Sequence, residues 1–410
     1  MFQISNLFID WYNKLDKNLR EGFILQYNCW LPTKVLFGPG RLNDLHKEIM
    51  PGKKALLLIS NGKSTKTNGS LERTQNQLKL AGVDSVLFDK IQSNPLKKTV
   101  EDGAIFAKEN NCDFIVALGG GSVLDSSKAI ALLVNNPGDL WDYVSSGTGK
   151  NRPIKNKPLP IIAITTTAGT GSEVDCGGVI TKPETREKSA IVHPFLFPEI
   201  AIVDPELMKT VPPKFTAFQG FDALLQATEG YIAKNHNLIS EMFQRTVIEN
   251  ISKYLARAVK NGDDLEARTH MAFANVMSGY SMMTSSCTSE HSLEHALSAF
   301  HEELPHGAGL IMISKAYYLY FIEKNICHDR FIDMAKFFGN KNADSALDFI
   351  DELEKLKFDC GVNDLKMSDY GITPEEFDDL AKNARQTMDG VDPCDLSHED
   401  CVNIYRRSYK

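Results

Sequence analysis

Three short runs constrain the architecture more tightly than any other part of the chain: Ala55-Leu56-Leu57-Leu58-Ile59, Phe114-Ile115-Val116-Ala117-Leu118 and Ile161-Ile162-Ala163-Ile164. Each is apolar throughout, and a strand with no polar alternation is expected where a parallel sheet is covered on both faces. Around them lie stretches of helical spacing, roughly 68–82 and 98–110, and further strand-like runs at Thr33–Phe37, Ser85–Phe88 and Ile200–Val203. Gly38-Pro39-Gly40 breaks the first of these in a tight turn. The alternation predicts a doubly wound, Rossmann-like α/β domain with a parallel sheet and a nucleotide at the carboxyl ends of its strands.

Two loops at those strand ends carry polar chemistry. Gly119-Gly120-Gly121-Ser122 follows the 114–118 run and leads into a helix expected near Val123. Glycines there let the backbone approach a phosphate, while the N–H groups of the helix start supply donors and partial positive charge. Ser122 followed by Asp125 suits a capping-box-like start. The pattern is not G-x-G-x-x-G, and a tight strand-to-helix connection alone would also use glycine. The second loop, Thr165-Thr166-Thr167-Ala168-Gly169-Thr170-Gly171-Ser172-Glu173, gathers hydroxyls suited to a ribose, a phosphate or an amide.

Beyond about Pro198 the character changes, and after Pro213 the sequence reads as helical to its end. The expected division is therefore residues 1–200, α/β and nucleotide-binding, and residues 201–410, all-α, with the seam near 198–204. A helix over Ile4–Leu19 would be appended to the first domain. In the second, Gly220-Phe221-Asp222-Ala223-Leu224-Leu225-Gln226 places Asp222 and Gln226 on one helix face. A carboxylate inside an apolar helix is costly unless it is paired or holds a metal.

Four of the ten histidines, His291, His295, His301 and His306, fall within Ser289–Gly307. His291 and His295 are one helical turn apart, and His306 follows in Pro-His-Gly, where a turn can bring a third imidazole back. Clustered imidazoles suit a divalent transition metal. The apolar neighbours Leu293, Ala296, Leu297 and Phe300 argue against a merely solvated polar face.

A net charge of -8 with no basic stripe argues against nucleic-acid binding. Scattered cysteines without C-x-x-C pairs read as reduced thiols, and no apolar run approaches the ~20 residues needed to span a bilayer. With no apolar signal core at the start, the expectation is a cytoplasmic protein without membrane partners.

With these residues assembled, the chain resembles the iron-containing (group III) alcohol dehydrogenases, of dehydroquinate-synthase-like architecture. The resemblance covers nearly everything after about residue 25. It rests on Phe37-Gly38-x-Gly40, Ser93-Asn94-Pro95, Gly119-Gly120-Gly121-Ser122-x-x-Asp125, Thr166–Glu173, Asp204-Pro205, Gly220-x-Asp222-Ala223-Leu224 and Pro305-His306-Gly307. It implies a metal, Fe(II) or Zn(II), in a cleft between the two domains, held at the positions of Asp222, Gln226, His291 and His306. It implies that His295 lies near the nicotinamide and relays the proton. Cofactor contacts fall on Asn94, Gly119, Gly120, Gly121, Ser122, Asp125, Thr166, Thr167, Thr170 and Lys188. The implied reaction is hydride transfer between NAD(P)(H) and a small primary alcohol or aldehyde, in a homodimer or larger homo-oligomer.

One departure bears directly on the metal, because Gln226 stands where the family has histidine. Its amide oxygen is a harder and poorer donor than imidazole. His295 and His306 are also eleven residues apart where many members have ten. Ser60-Asn61-Gly62-Lys63 lacks the carboxylate that holds a ribose in NAD enzymes, which favours NADP(H). Two rival readings follow from the same residues. His291-x-x-Glu294-His295 taken literally is an inverted zinc-protease motif, which would make the chain a hydrolase. Gln226 could instead mark a cofactor-binding relative with a weakened metal site, serving as a non-catalytic or assembly subunit.

Overall fold

A computed structural model describes residues 27–410, so the helix expected over Ile4–Leu19 lies outside the described residues. Six strands form one parallel sheet: β1 (Lys34–Phe37), β2 (Lys54–Ser60), β3 (Asp84–Ile91), β4 (Phe114–Gly119), β5 (Ile161–Thr165) and β8 (Ile200–Val203). Their order is β1-β8-β5-β4-β2-β3. The doubly wound α/β expectation is met. Leu56, Leu58, Ile115, Ala117, Ile161 and Ala163 enter the core on one face of the sheet. Leu57, Ile59, Val116, Leu118, Ile162 and Ile164 enter the core on the other. All five side chains of the 55–59 run are fully buried, and each Leu or Ile so buried contributes about 2 kcal/mol.

Helices α1 (Ser70–Leu80), α2 (Lys97–Glu109) and α3 (Gly121–Asn135) make the crossovers. Strand order reverses between β2 and β4, and in open α/β sheets a ligand crevice forms beyond the strand ends at such a switch. The glycine-rich turn after β4 opens there.

Two details differ from the sequence reading. Helix α3 begins at Gly121, capped by Gly120 without a side-chain hydrogen bond, so Ser122 and Asp125 form no capping box. The Asp125 carboxylate instead accepts from the Ser172 hydroxyl at 2.6 Å and the Val179 N–H at 3.0 Å, which ties α3 to the threonine loop. The second difference is an antiparallel hairpin, β6 (Gly177–Lys182) and β7 (Glu187–Val192), between β5 and β8.

Beyond β8 the described chain is helical. Helix α4 (Pro213–Ile232), with proline in its first turn, is buried on nearly all sides, chiefly by α5 (Leu238–Lys260), α6 (Leu265–Thr284) and α8 (His306–Glu323), the last of which follows α7 (Ser289–Phe300). A helix apolar all round belongs at the centre of such a bundle. Its core includes Phe221, Leu224, Tyr317, Tyr318, Phe331 and Phe349, and extends onto Ala201 and Val203 of β8.

Candidate active site

Asp222 lies mid-way along α4, His291 in the first turn of α7, and His306 at the first position of α8. Residues 301–305 join α7 to α8, and the two helices pack together with His291 and His306 both within reach of one carboxylate. Pro-His-Gly has a steric reason as well. A Cβ on Gly307 would sit 2.2 Å from the Phe218 carbonyl oxygen, so glycine lets α8 press against α4 and carry His306 to Asp222.

The three side chains converge. His291 Nε2 is 3.4 Å and His306 Nε2 is 3.6 Å from Asp222 Oδ1. On the far side of each ring, Nδ1 hydrogen-bonds a buried carboxylate: Glu229 for His291 and Glu294 for His306. Such a partner fixes the tautomer and ring plane and leaves Nε2 to act as a ligand. Asp222, His291 and His306 have ligand atoms mutually within 4.8 Å, two imidazoles and one carboxylate suited to a transition metal. The donor set fits an iron-group ion or zinc.

Burial alone would raise the Asp222 pKa, but hydrogen bonds from the two histidines hold it well below the usual carboxylate range. For His291, burial works downward, but the Glu229 charge together with Cys287 and Asp222 outweighs it and raises the pKa well above the ordinary imidazole value. For His306 burial and Lys188 work downward, and Glu294 with Asp222 outweighs them and raises the pKa. His295 behaves oppositely. Burial, Lys188 and the two neighbouring imidazoles all push it well down, which favours the neutral ring. Its ring centroid lies 5.4 Å from that of His306 and 6.4 Å from that of His291.

Gln226 is beside Asp222 and donates from Nε2 to Asp222 Oδ1 at 3.0 Å. Its oxygen accepts from the Ser278 hydroxyl. In this orientation the amide oxygen faces α6, and Gln226 braces Asp222. Glu294 is wholly buried and its Oε2 is engaged by His306 Nδ1, so it stands as the partner of that ring, which tells against the inverted zinc-protease reading.

The two polar loops meet each other. A Cβ on Gly120 would lie 2.8 Å from Thr167 Cγ2, and one on Gly121 would lie 2.4 Å from Thr170 Cγ2. The glycines thus allow the threonine loop to close on the start of α3. Half-buried Ser122, Thr166, Thr167 and Thr170 lie at this junction, beside the start of α3 with its unsatisfied N–H groups. The threonine loop in turn rests on α4, where Gln219 Oε1 accepts from the Ala168 N–H at 3.2 Å, one turn before Asp222. Asn275 of α6 accepts from the Gly171 N–H at 2.9 Å. Behind the loop, buried Lys128 donates to Ser172 Oγ at 2.9 Å and Gly177 O at 2.6 Å and is paired with Asp175.

Asn94, Lys188 and Asp125 are placed differently from the loop hydroxyls, because their polar atoms are engaged by protein partners. Sequence reasoning missed Glu229 as a partner of His291. It follows Asp222 and Gln226 at the next helical repeat, and that polar stripe in an apolar helix was its available signal. Around the centre, Phe218 is buried under Gly307, Met283 meets Cys176 at 3.6 Å, and Cys287 packs near His291 and Glu229.

The profile described as iron-containing alcohol dehydrogenase matches residues 32–205, and its C-terminal companion, the Fe-containing alcohol dehydrogenase family C-terminal domain, matches 216–409. The chain is 31% identical over 391 residues to a 1,3-propanediol dehydrogenase of Citrobacter freundii, covering 93% of this chain and 99% of that one. It is 34% identical over 391 residues to alcohol dehydrogenase 4 of Schizosaccharomyces pombe, covering 92% and 88%. Among solved structures, an archaeal halo-thermophilic alcohol dehydrogenase from a Red Sea brine pool superposes with a TM-score of 0.89 at 32% identity, covering 94% and 99%.

Proposed function

Because the chain belongs to the iron-containing alcohol dehydrogenase family, we propose that Asp222, His291 and His306 form its metal centre and that the adjoining cleft holds the nicotinamide cofactor. The protein is an oxidoreductase that interconverts alcohols and aldehydes in the NAD-linked, metal-dependent manner of its family. That identity stands against the reading as a non-catalytic subunit. Among the described residues, no helix is long and apolar enough to cross a membrane.

The observation that carries the site assignment is the convergence of two imidazole Nε2 atoms on Asp222, each ring held from behind by a buried carboxylate. Fe(II) or Zn(II) bound here supplies Lewis acidity, and the nicotinamide supplies or accepts the hydride. The chain's own residues do the rest. Glu229 and Glu294 keep the rings aimed. The start of α3 and the hydroxyls of Thr166, Thr167 and Thr170 receive the cofactor's phosphates and ribose. His295, whose ring lies 5.4 Å from that of His306 at the edge of the centre, takes the proton released from the alcohol and returns it in the reverse direction. The substrate is a small primary alcohol or its aldehyde.

For the cofactor, NADP(H) is our reading. Ser60-Asn61-Gly62-Lys63 closes β2 at the switch point with an exposed lysine, and the nearby Asp89 is engaged by Lys66 at 2.6 Å. A homodimer or larger homo-oligomer in the cytoplasm is the expected setting.

The test is aldehyde reduction followed by NADPH and NADH consumption on anaerobically purified protein, with metal content measured on the same sample. About one equivalent of iron or zinc, with turnover abolished by a chelator, is the expected result. Cofactor binding without metal or turnover would overturn the proposed centre. A higher kcat/KM with NADH would overturn the NADP(H) preference alone.

A further inference from the structure

Helix α7 carries His291 and His295, and its start is not held by its own cap residue. Thr288 stands at the N-cap, where a threonine hydroxyl ordinarily accepts from an N–H of the first turn, yet its side chain caps none of them. Two carboxylates from elsewhere in the chain take those N–H groups instead. Asp392 Oδ1 accepts from the Ser289 N–H at 2.9 Å, and Glu229 Oε1 accepts from the His291 N–H at 3.2 Å. Negative charge is favoured at that end of a helix. The Thr288 hydroxyl donates to the same Glu229 oxygen at 3.2 Å and lies 2.7 Å from the Tyr317 hydroxyl. Tyr317, from α8, reaches Asp392 Oδ1 at 2.9 Å. Asp392, Tyr317, Thr288 and Glu229 thus form one continuous polar chain that ends on His291, whose Nδ1 bonds the other Glu229 oxygen. All four are buried, Tyr317 and Glu229 completely. The segment that supplies Asp392 is itself fastened. The Lys234 N–H, just beyond the end of α4, donates to the Val391 carbonyl at 2.8 Å, and the Lys234 ammonium pairs with Asp395 at 3.1 Å. Residues 391–395 therefore link the end of the helix that carries Asp222 to the start of the helix that carries His291.

We propose that Asp392 and Tyr317 are positioning residues for His291. Asp392 fixes where α7 begins. Tyr317 holds Thr288, and through it one Glu229 oxygen, against the first turn, so that the other Glu229 oxygen stays on Nδ1 and Nε2 stays aimed at Asp222. Metal affinity is therefore governed in part by a segment more than a hundred residues beyond His291 in the chain. The proposal rests on Asp222, His291 and His306 being the metal centre.

The experiment is Zn(II) affinity by competition with a chromophoric chelator, measured for the full chain, Asp392→Ala, Asp392→Asn and Tyr317→Phe. Asp264→Ala, which removes the side chain that caps the start of α6 and leaves this polar chain intact, is the control for lost stability alone. Loss of an outer-shell partner is expected to weaken Zn(II) binding by about 10- to 100-fold in Asp392→Ala. Asp392→Asn, whose side-chain oxygen still accepts from the Ser289 N–H, should keep most of the affinity. Tyr317→Phe, which removes only the hydroxyl, should weaken binding by about tenfold. Asp264→Ala should lower the urea midpoint and leave Zn(II) affinity unchanged. Unchanged affinity in both Asp392→Ala and Tyr317→Phe, or an equal loss in Asp264→Ala, overturns the proposal. Should Asp392→Ala fail to fold, Tyr317→Phe decides by itself. An unsubstituted chain that binds no Zn(II) would overturn the metal centre instead, a distinct result.

Discussion

Gly307 and Phe218 touch backbone to backbone: a methyl group on Gly307 would stand 2.2 Å from the Phe218 carbonyl oxygen. Neither group is the end of a flexible side chain, so Gly307→Ala must push α8 away from α4. The cost is that of overpacking, about 1–3 kcal/mol. Because His306 is the adjacent residue, the displacement also opens its 3.6 Å approach to Asp222. We expect a lower urea midpoint at unchanged m-value, together with reduced metal content. A variant that keeps full metal content at wild-type stability would contradict this account.

Gln226 offers a second prediction. Its NH2 points to Asp222 and its oxygen to Ser278, the orientation a bare carboxylate selects. A cation beside Asp222 favours the opposite orientation, and the Ser278 hydroxyl can accept from the reversed amide as readily as it donates now. Gln226→His replaces this switchable oxygen with an imidazole and should tighten Zn(II) binding roughly tenfold, a change of about 1.4 kcal/mol. Gln226→Leu, which leaves Asp222 without that donor, should weaken it. If the histidine variant binds no more tightly by chelator competition, position 226 does not face the metal.

These two positions also mark what the sequence makes legible. Asp222, Gln226 and the histidines were readable because helical spacing places them on common faces and Pro-His-Gly stops one helix and starts the next. The parallel sheet was readable because ALLLI and its companions have no face that tolerates water. The β6–β7 hairpin was not. Gly177 and Gly178 weaken a strand signal, and what stabilises the hairpin is tertiary: Gly178 lies against the Asp125 backbone, and Lys128 holds the Gly177 carbonyl. Lys188 and Asn94 stood out only through family resemblance, which attached them to the cofactor. Their partners Ser298, Glu302 and Glu294 lie more than a hundred residues away in the chain, and spacing says nothing about such pairs.

The carboxylate behind His291 should matter as much as a ligand. Glu229→Gln keeps an acceptor for Nδ1–H but removes the charge that raises the basicity of the ring. Metal affinity is expected to fall about 10- to 100-fold, with little change in the affinity of the metal-free protein for NADPH. Glu229 also accepts from the His291 backbone N–H at 3.2 Å and from Thr288 at 3.2 Å, so the isosteric amide is the informative change. Equal metal affinity in Glu229→Gln would show that ring orientation alone, without the charge, suffices.

A last prediction concerns Glu173, at the foot of the threonine loop and wholly buried. Burial pushes its pKa from 4.5 up to about 7, with a hydrogen bond from Asn275 at 2.5 Å opposing it only in part. One of its oxygens has no partner at all. The folded state therefore binds this proton more tightly than the unfolded state. Between pH 4.5 and about 7 the native protein carries the extra proton, so stability falls as pH rises through that window and is flat above it. A shift of this size corresponds to at most about 3 kcal/mol. Glu173→Gln, neutral at every pH and still able to accept from Asn275, should be more stable than the unsubstituted chain by about 1–3 kcal/mol at pH 8 and close to it at pH 5. Urea unfolding at the two pH values measures the difference. An equal effect at both would show that volume or hydrogen bonding, and not a buried charge, limits stability behind the cofactor loop.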